Sequence, residues 1–447
     1  MLTAAAAGER VVQDPNEVRV QNLWKLASTI KDSARDHFNI VPLHRGRINS
    51  YHICQYAGNP SIEDTYAIRP VLKSDGGSLF GVFDGHSGTA ASQFCKNELF
   101  DYFEWYYANG YTNDLLAAAP VLHADDHFLK LALIDHRPLD GLSGACLLAT
   151  HIKGDVVRTA SAGDCRAVVG RRRVPSTTQG GSTTLVSSVE APLPAGDIPA
   201  NQFYSPYHSV TSHDPVELSV VHQIDLNARE KERLLSQHPN EPDILRSDRV
   251  KGALQPTRGF GDGPYKRNDY FRNYWRRSVR YDVWTPPYTT AEPDITQYTI
   301  QPNDEFIVLA SDGLYQDLTP ADVVHHVGTF LNDPGLRKRH SNNAGAYLIE
   351  RALLAAAEHA VGRRDSPERS LTWITQVPIT HRRSLHDDIT VIVVFLDSPE
   401  AAKKNASDLL TGKVDPSTVL PSPSLKRVVD SFSQAQSTET PKGRSFL

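Results

Sequence analysis

The sequence predicts a globular chain of mixed class, in which short buried strands end in acids and amphipathic helices pack beside them. Three observations point there. The composition is ordinary for a folded protein, 40% hydrophobic and 22% charged over 447 residues, enough for one large domain with additions or for two. Short apolar runs such as LFGVF (79–83) and ITVIVVFL (389–396) have the length and β-branched or aromatic content of buried strands. Longer stretches, 88–107 and 343–361, place apolar residues near one helical face.

Composition also excludes classes. A net charge of −5 and a pI near 6.4 give no general drive toward nucleic acid or anionic membrane. Four scattered cysteines, Cys54, Cys95, Cys146 and Cys165, lack the close spacing of a zinc site and read as buried thiols in a reducing compartment. No apolar run reaches the roughly 18 residues of a membrane span, so the chain is expected to be soluble. The N-terminus has no long apolar signal core, and Glu9, Asp14 and Glu17 interrupt any organellar presequence. A cytoplasmic location is favoured on that ground.

In chain order, residues 1–47 form an Ala-rich lead-in with a helix expected over 17–36. Strands are expected at 51–56 and 66–72, around a polar loop that carries Glu63 and Asp64. The run 79–83 then stops at Asp84, Gly85 and His86. That puts a carboxylate, a bare carbonyl and an imidazole within three residues, although Asp-Gly is also a common turn dipeptide. Helices over 88–107 and 113–133 precede strands at 144–152, 156–161 and 166–170, the last two linked through Gly163-Asp164.

Residues 170–215 turn to Ser, Thr, Pro and Gly and read as a mobile insertion. Asn227 with Glu230 resembles a capping box for a helix to about Gln237. The stretch 265–284 interleaves basic and aromatic residues. An ordered loop with a solvated basic face is the favoured reading, and a single-stranded nucleic acid surface the alternative. The run 306–310 repeats the earlier design and ends at Ser311-Asp312-Gly313, and Thr319-Pro320 opens a helix to about Leu331. After a loop at 362–384, His386-Asp387-Asp388 precedes the strand 389–396. Residues 398–447 form a polar tail expected to be disordered.

The acids Glu63-Asp64, Asp84, Asp164, Asp312 and Asp387-Asp388 all lie beside expected strands. Carboxylates there are costly unless paired or metal-bound. An oxygen-rich donor set without cysteine suits Mg²⁺ or Mn²⁺, and one bridging carboxylate with several terminal ones suits a two-metal hydrolytic site. Structural calcium is the competing reading.

The motifs IEDTYA (62–67), VFDGHSG (82–88), SGACLLA (143–149), SAGDCRAVVG (161–170), TRGFGD (257–262), LASDGLYQDL (309–318) and HDDITVIVV (386–394) resemble, in order and spacing, the metal-dependent type 2C protein serine/threonine phosphatases. Within that family LNAREKERL (226–234), TPPYTTAEPDIT (285–296) and HAVG (359–362) look most like the pyruvate dehydrogenase phosphatase branch. The resemblance implies an α+β fold, two packed, mainly antiparallel sheets flanked by helices, over residues 48–397. It implies two Mg²⁺ or Mn²⁺ ions with a weak third. Asp84 would bridge them, Asp312 and Asp387 would complete one, the Gly85 carbonyl and Glu63 through water would serve the other, and Asp64 would orient bound water. A hydroxide bridging the ions would attack a phosphoserine or phosphothreonine in line, and His86 would protonate the departing oxygen. The branch suggests a phosphorylated pyruvate dehydrogenase as substrate and the mitochondrial matrix as the alternative location.

Departures from the family pattern are also legible. Asn59 stands where many members place a phosphate-holding arginine, as in the pyruvate dehydrogenase phosphatase branch. Asp164 matches the third-metal aspartate, but its usual acidic partner is Gln316 here, with Asp317 one residue late. Tyr315 and Cys146 replace a common tryptophan and threonine. Two other functions stay open on sequence, a pseudophosphatase that acts as a regulatory binding module and a hydrolase of small phosphoesters.

Overall fold

Alternation along the strands decides the layering. In the computed structural model, which describes residues 38–173, 212–270, 273–274, 283–361 and 373–402, the first sheet contains β1 (Phe38–Arg45), β2 (Ile48–Tyr56), β7 (Arg166–Arg172), β8 (His213–Glu217), β13 (Asp304–Ala310) and β14 (Ile389–Leu396). Its order is β1-β2-β14-β13-β7-β8. The second runs β12-β6-β5-β4-β3, formed by β3 (Thr65–Arg69), β4 (Ser78–His86), β5 (Gly144–Lys153), β6 (Val156–Ala162) and β12 (Asp294–Thr299), with the two-residue strand β11 (Phe260–Gly261) added on β5. All these strand pairs are antiparallel.

Successive side chains of a strand point to opposite faces. On β4, Phe80 and Val82 join the core between the sheets, while Leu79 and Phe83 join an outer core with Leu99, Phe103 and Leu129. On β13, Ile307 and Leu309 face inward, and Phe306 and Val308 meet Leu348 and Leu353 outside. Helices Phe100–Ala108 and Ala118–Ile134 therefore cover one sheet, and Pro320–Asn332 and Ala344–Val361 the other. The architecture is the expected α+β sandwich of two antiparallel sheets between helical layers, and its four cysteines are free and buried.

Several elements differ from the sequence expectation. β1 occupies residues assigned to the lead-in; its polar and apolar residues alternate poorly, and pairing with β2 decides its conformation. β4 does not stop at Asp84 but runs through His86, because Asp84, Gly85 and His86 stay in register with Cys146, Ala145 and Gly144. β7 and β8 extend into the ends of the 170–215 insertion, pairing Arg171 with Asp214 and Arg172 with His213. Lys266, expected on a solvated basic face, instead bonds both Asp125 carboxylate oxygens, at 2.8 and 2.7 Å, and the Gly259 carbonyl at 2.7 Å. The expected helix at 17–36, the insertion residues 174–211, residues 271–272 and 275–282, residues 362–372 and the tail after residue 402 lie outside the described residues.

The helix Ala228–Gln237 shows the same interplay of local and tertiary forces. Asn227 caps it, accepting from the Glu230 N–H at 3.3 Å. Glu230 does not reach back to close a capping box. Its buried carboxylate accepts from Arg258, Arg233 and the Thr257 hydroxyl. Burial alone would raise its pKa, but the hydrogen bonds from Arg258, Arg233 and Thr257 outweigh that and bring it down to about 2. A pKa depressed on folding contributes stability above the ordinary value of about 4.5, and loses it as pH falls toward 2. Glu230→Gln is therefore expected to lower urea-unfolding stability at pH 7 by about 2–3 kcal/mol, since both arginines lose their partner. The deficit should shrink as pH falls from about 4.5 and approach zero only below about 2, and a deficit independent of pH would contradict the assignment.

Candidate active site

The inner-face parity of β4 continues past its apolar run. Asp84 and His86 fall on the same side as Phe80 and Val82, at the end of the sandwich where the hydrophobic filling stops. Asp164 lies in the β6–β7 turn, and Asp312 opens the short helix that follows β13. These three chain segments converge, and one carboxylate oxygen from each of Asp84, Asp164 and Asp312 lies within 4.8 Å of the others. They line a cleft of about 440 Å³ together with Gly85, His86, Cys146, Gln316 and Asp387.

Crowding of like charge marks the electrostatics. Burial first, then the charges of Asp64, Asp312 and Asp164, hold the Asp84 carboxyl well above its ordinary value. Burial and then Asp164 raise Asp312 to about 6; burial and then Asp388 raise Asp64 to about 7. The Asp312 N–H donates to Asp84 Oδ2 at 3.3 Å, yet Asp312 Oδ1 is buried and has no hydrogen-bond partner among the described residues. An all-oxygen donor set with a buried, unpartnered carboxylate oxygen fits hard divalent cations such as Mg²⁺ or Mn²⁺.

The remaining expected residues surround this cluster in different ways. Asp64 is buried and accepts from Thr390 Oγ1 at 2.7 Å. Glu63 Oε1 accepts from the Gly88 N–H at 2.6 Å, which ties the acid to the turn after His86. Asp387 lines the cleft but is not one of the three clustered acids; its Oδ1 accepts from the Asp388 N–H at 2.7 Å and pairs with Arg383. Gly85 packs so closely that a Cβ would collide with the Glu63 carbonyl oxygen and stand 2.8 Å from Ser92 Oγ. Gly85→Ala is thus expected to cost about 1–3 kcal/mol of stability and to displace Glu63. A thermal melt with and without Mn²⁺ checks this; an unchanged melt would count against the close approach.

Gln316 donates to Asp312 Oδ2 at 3.3 Å, so this position supplies a donor to the cluster. Asp317 turns away and pairs with His359 at 2.8 Å. Asp164 Oδ2 accepts from Gln223 Nε2 at 2.6 Å.

Two residues with large roles have none assigned to them on sequence. Asp388 accepts from the N–H groups of Gly58, Asn59 and Glu63 at 2.7–3.0 Å and from Asn59 Nδ2 at 3.1 Å, locking the loop before Glu63 onto β14. Its signal was the doubled acid before the strand. Asp262, the last residue of TRGFGD, bonds His86 Nε2 through Oδ1 at 2.9 Å. It takes a left-handed conformation at φ 54°, and its N–H donates to the Ser143 carbonyl. Burial alone would lower the His86 pKa, but the Asp262 charge and hydrogen bond reverse this and leave it raised.

The sequence model of the family described as Protein phosphatase 2C matches residues 57–183 and 208–361. The chain belongs to the protein phosphatase 2C family. Its curated relatives include probable protein phosphatase 2C 67 of Arabidopsis thaliana, 32% identical over 341 residues, 74% of this chain and 77% of that one. They also include the mitochondrial [pyruvate dehydrogenase [acetyl-transferring]]-phosphatase 1 of Bos taurus, 28% identical, with 77% of each chain covered. Among solved structures, serine-threonine phosphatase 2C from Toxoplasma gondii aligns with a TM-score of 0.46 and 17% identity, over 80% of this chain and 99% of that one. As a member of the protein phosphatase 2C family the chain is a protein serine/threonine phosphatase. No helix among the described residues is long and apolar enough to cross a membrane.

Proposed function

We propose that this phosphatase hydrolyses phosphoserine and phosphothreonine in proteins at a two-metal centre in the cleft. The observation that carries the reading is the convergence of Asp84, Asp164 and Asp312 within 4.8 Å, with Asp312 Oδ1 buried and unpartnered. Asp84 would bridge two ions, Asp312 and Asp387 would complete one, and the Gly85 carbonyl and Glu63 through water would serve the other. Asp164 would hold a weaker third. Such ions supply an activated water for in-line attack and offset the charge on the phosphoryl group.

The protein's own part is orientation and proton supply. Asp64, tied to Thr390, orients water at the centre. Asp388 fixes the loop that presents Glu63. Asp262 engages His86 Nε2, which leaves Nδ1 to donate a proton to the departing seryl or threonyl oxygen. A carboxylate that fixes ring orientation and stabilises the charged imidazole is a recurring device in acid–base catalysis.

All the acids whose loss would suit a pseudophosphatase, Asp84, Asp312 and Asp387, are in place, so catalysis is the reading we carry. A phosphorylated pyruvate dehydrogenase is the protein substrate to try first, since bovine and yeast relatives are named for it and for mitochondria. The test is release of phosphate from a phosphothreonine peptide. Activity is expected with Mn²⁺ or Mg²⁺ and none in excess EDTA, with recovery on adding metal back; release that survives EDTA would overturn the proposal.

A further inference from the structure

In the proposed centre the ions would offset charge on the phosphoryl oxygens they hold, and a protein cation lining the cleft would serve an oxyanion they leave free. Two guanidinium groups line the cleft among the described residues, Arg249 and Arg383. Arg383 is drawn onto the Asp387 carboxylate. Asn59 is also committed elsewhere, its side-chain amide donating to Asp388 Oδ2 at 3.1 Å. His86 is engaged by Asp262. Arg249 differs from all three, because its partners are neutral and hold it without consuming its charge.

Arg249 sits on a hairpin of strands β9 (Leu245–Arg246) and β10 (Arg249–Val250), closed by Ser247 and Asp248 at φ 49° and 54°. Two consecutive left-handed residues are the signature of a tight hairpin turn. The hairpin is anchored from below. Val250 packs in a small separate core with Ile244, Leu254 and Tyr288. The next residue, Lys251, is buried, pairs with Glu241 and Asp243, and lies under Trp284 and Tyr288 at 5.7 and 5.3 Å from the ring centres. The Arg249 guanidinium is then aligned by two bonds, Nη1 to the Ala253 carbonyl at 3.0 Å and Nη2 to Gln255 Oε1 at 2.9 Å, and Ala253 and Gln255 line the same cleft. A guanidinium carries five donors, so three N–H groups are left without a hydrogen bond among the described residues. A pre-set fork with spare donors is the arrangement that grips a phosphate or carboxylate bidentately.

We propose that Arg249 binds an oxyanion of the phosphopeptide and makes the β9–β10 hairpin part of the substrate site. The proposal rests on the phosphatase reading of the cleft. It is tested with the Mn²⁺-loaded full chain as wild type, Arg249→Ala and Arg249→Lys. Three substrates are used: p-nitrophenyl phosphate, a phosphothreonine peptide with neutral neighbours, and the same peptide with an aspartate beside the phosphothreonine. Arg249→Ala is expected to raise KM about tenfold, the loss of a charge-assisted contact at a solvent-facing wall, with the lysine variant recovering part of it. A rise on all three substrates puts the phosphoryl group itself on Arg249. A rise confined to the aspartate peptide puts the neighbouring carboxylate there, and either result supports the proposal. Matching thermal melts exclude a folding defect. A KM within twofold of wild type on every substrate would overturn the role of Arg249 while leaving the phosphatase reading intact. Wild type inactive on all three would overturn that reading and this one together.

Discussion

Asp84→Asn is expected to lower kcat/KM for Mn²⁺-dependent hydrolysis of a phosphothreonine peptide by about 10³-fold or more, because in the proposed centre both ions would depend on that carboxylate. The same substitution should make the EDTA-treated protein more stable, not less. In the folded chain the carboxyls of Asp84, Asp64 and Asp312 titrate above their ordinary value of 3.8, the latter two at about 7 and about 6, through burial and mutual repulsion. A folded pKa raised above the unfolded one contributes stability below about 3.8 and loses it as pH rises through 6–7. The EDTA-treated wild type should therefore lose Tm between pH 4 and 7.5, and Asp84→Asn should flatten that fall. Added Mn²⁺ should raise the wild-type Tm more at pH 7.5 than at pH 5, since in the proposed centre the ions would replace protons as the counter-charge. A variant that is inactive and also unstable in EDTA at neutral pH would indicate a structural role for Asp84.

Asp262→Asn is expected to lower kcat on the phosphothreonine peptide by about 10²–10³-fold, the range of a lost general acid, and to affect p-nitrophenyl phosphate little. The contrast comes from the leaving groups. A threonyl oxygen needs a proton as it departs, whereas a nitrophenolate leaves without one. Asparagine tolerates the left-handed backbone at this position, so the change removes charge without backbone strain. His86→Ala should show the same split between substrates. Equal losses on both substrates would mean that Asp262 shapes the cleft and does not act through His86.

The parts of this enzyme legible in its sequence were those dictated locally. Strand β14 was readable because a continuous β-branched run has no other stable use at that length. The Thr319 cap was readable because its hydroxyl and the Asp322 carboxylate close a capping box within four residues. The acids at strand ends were readable because an unpaired carboxylate beside a core needs an explanation.

What escaped was set by pairing across the chain. β1 forms only because β2 offers it an edge. Asp262 lies 176 residues from His86, and no local pattern links them. Asp388 and Asp387 are alike in sequence, and their roles separate only once Gly58, Asn59 and Glu63 fold against β14. The β9–β10 hairpin, two residues per strand, is too short to show a period, and its conformation depends on the buried Lys251 beneath it. Asp317 shows the converse, an acid close in sequence to the cluster that the turn after the short helix directs toward His359.

The most direct test of the two-metal centre is a count of tightly bound Mn²⁺ per chain, by elemental analysis after gel filtration in buffer freed of loose metal. Two ions per wild-type chain are expected, with a third only at higher Mn²⁺ concentration, and fewer than one ion on Asp84→Asn. One ion or none on an active wild-type chain, or full occupancy of the variant, would contradict the account.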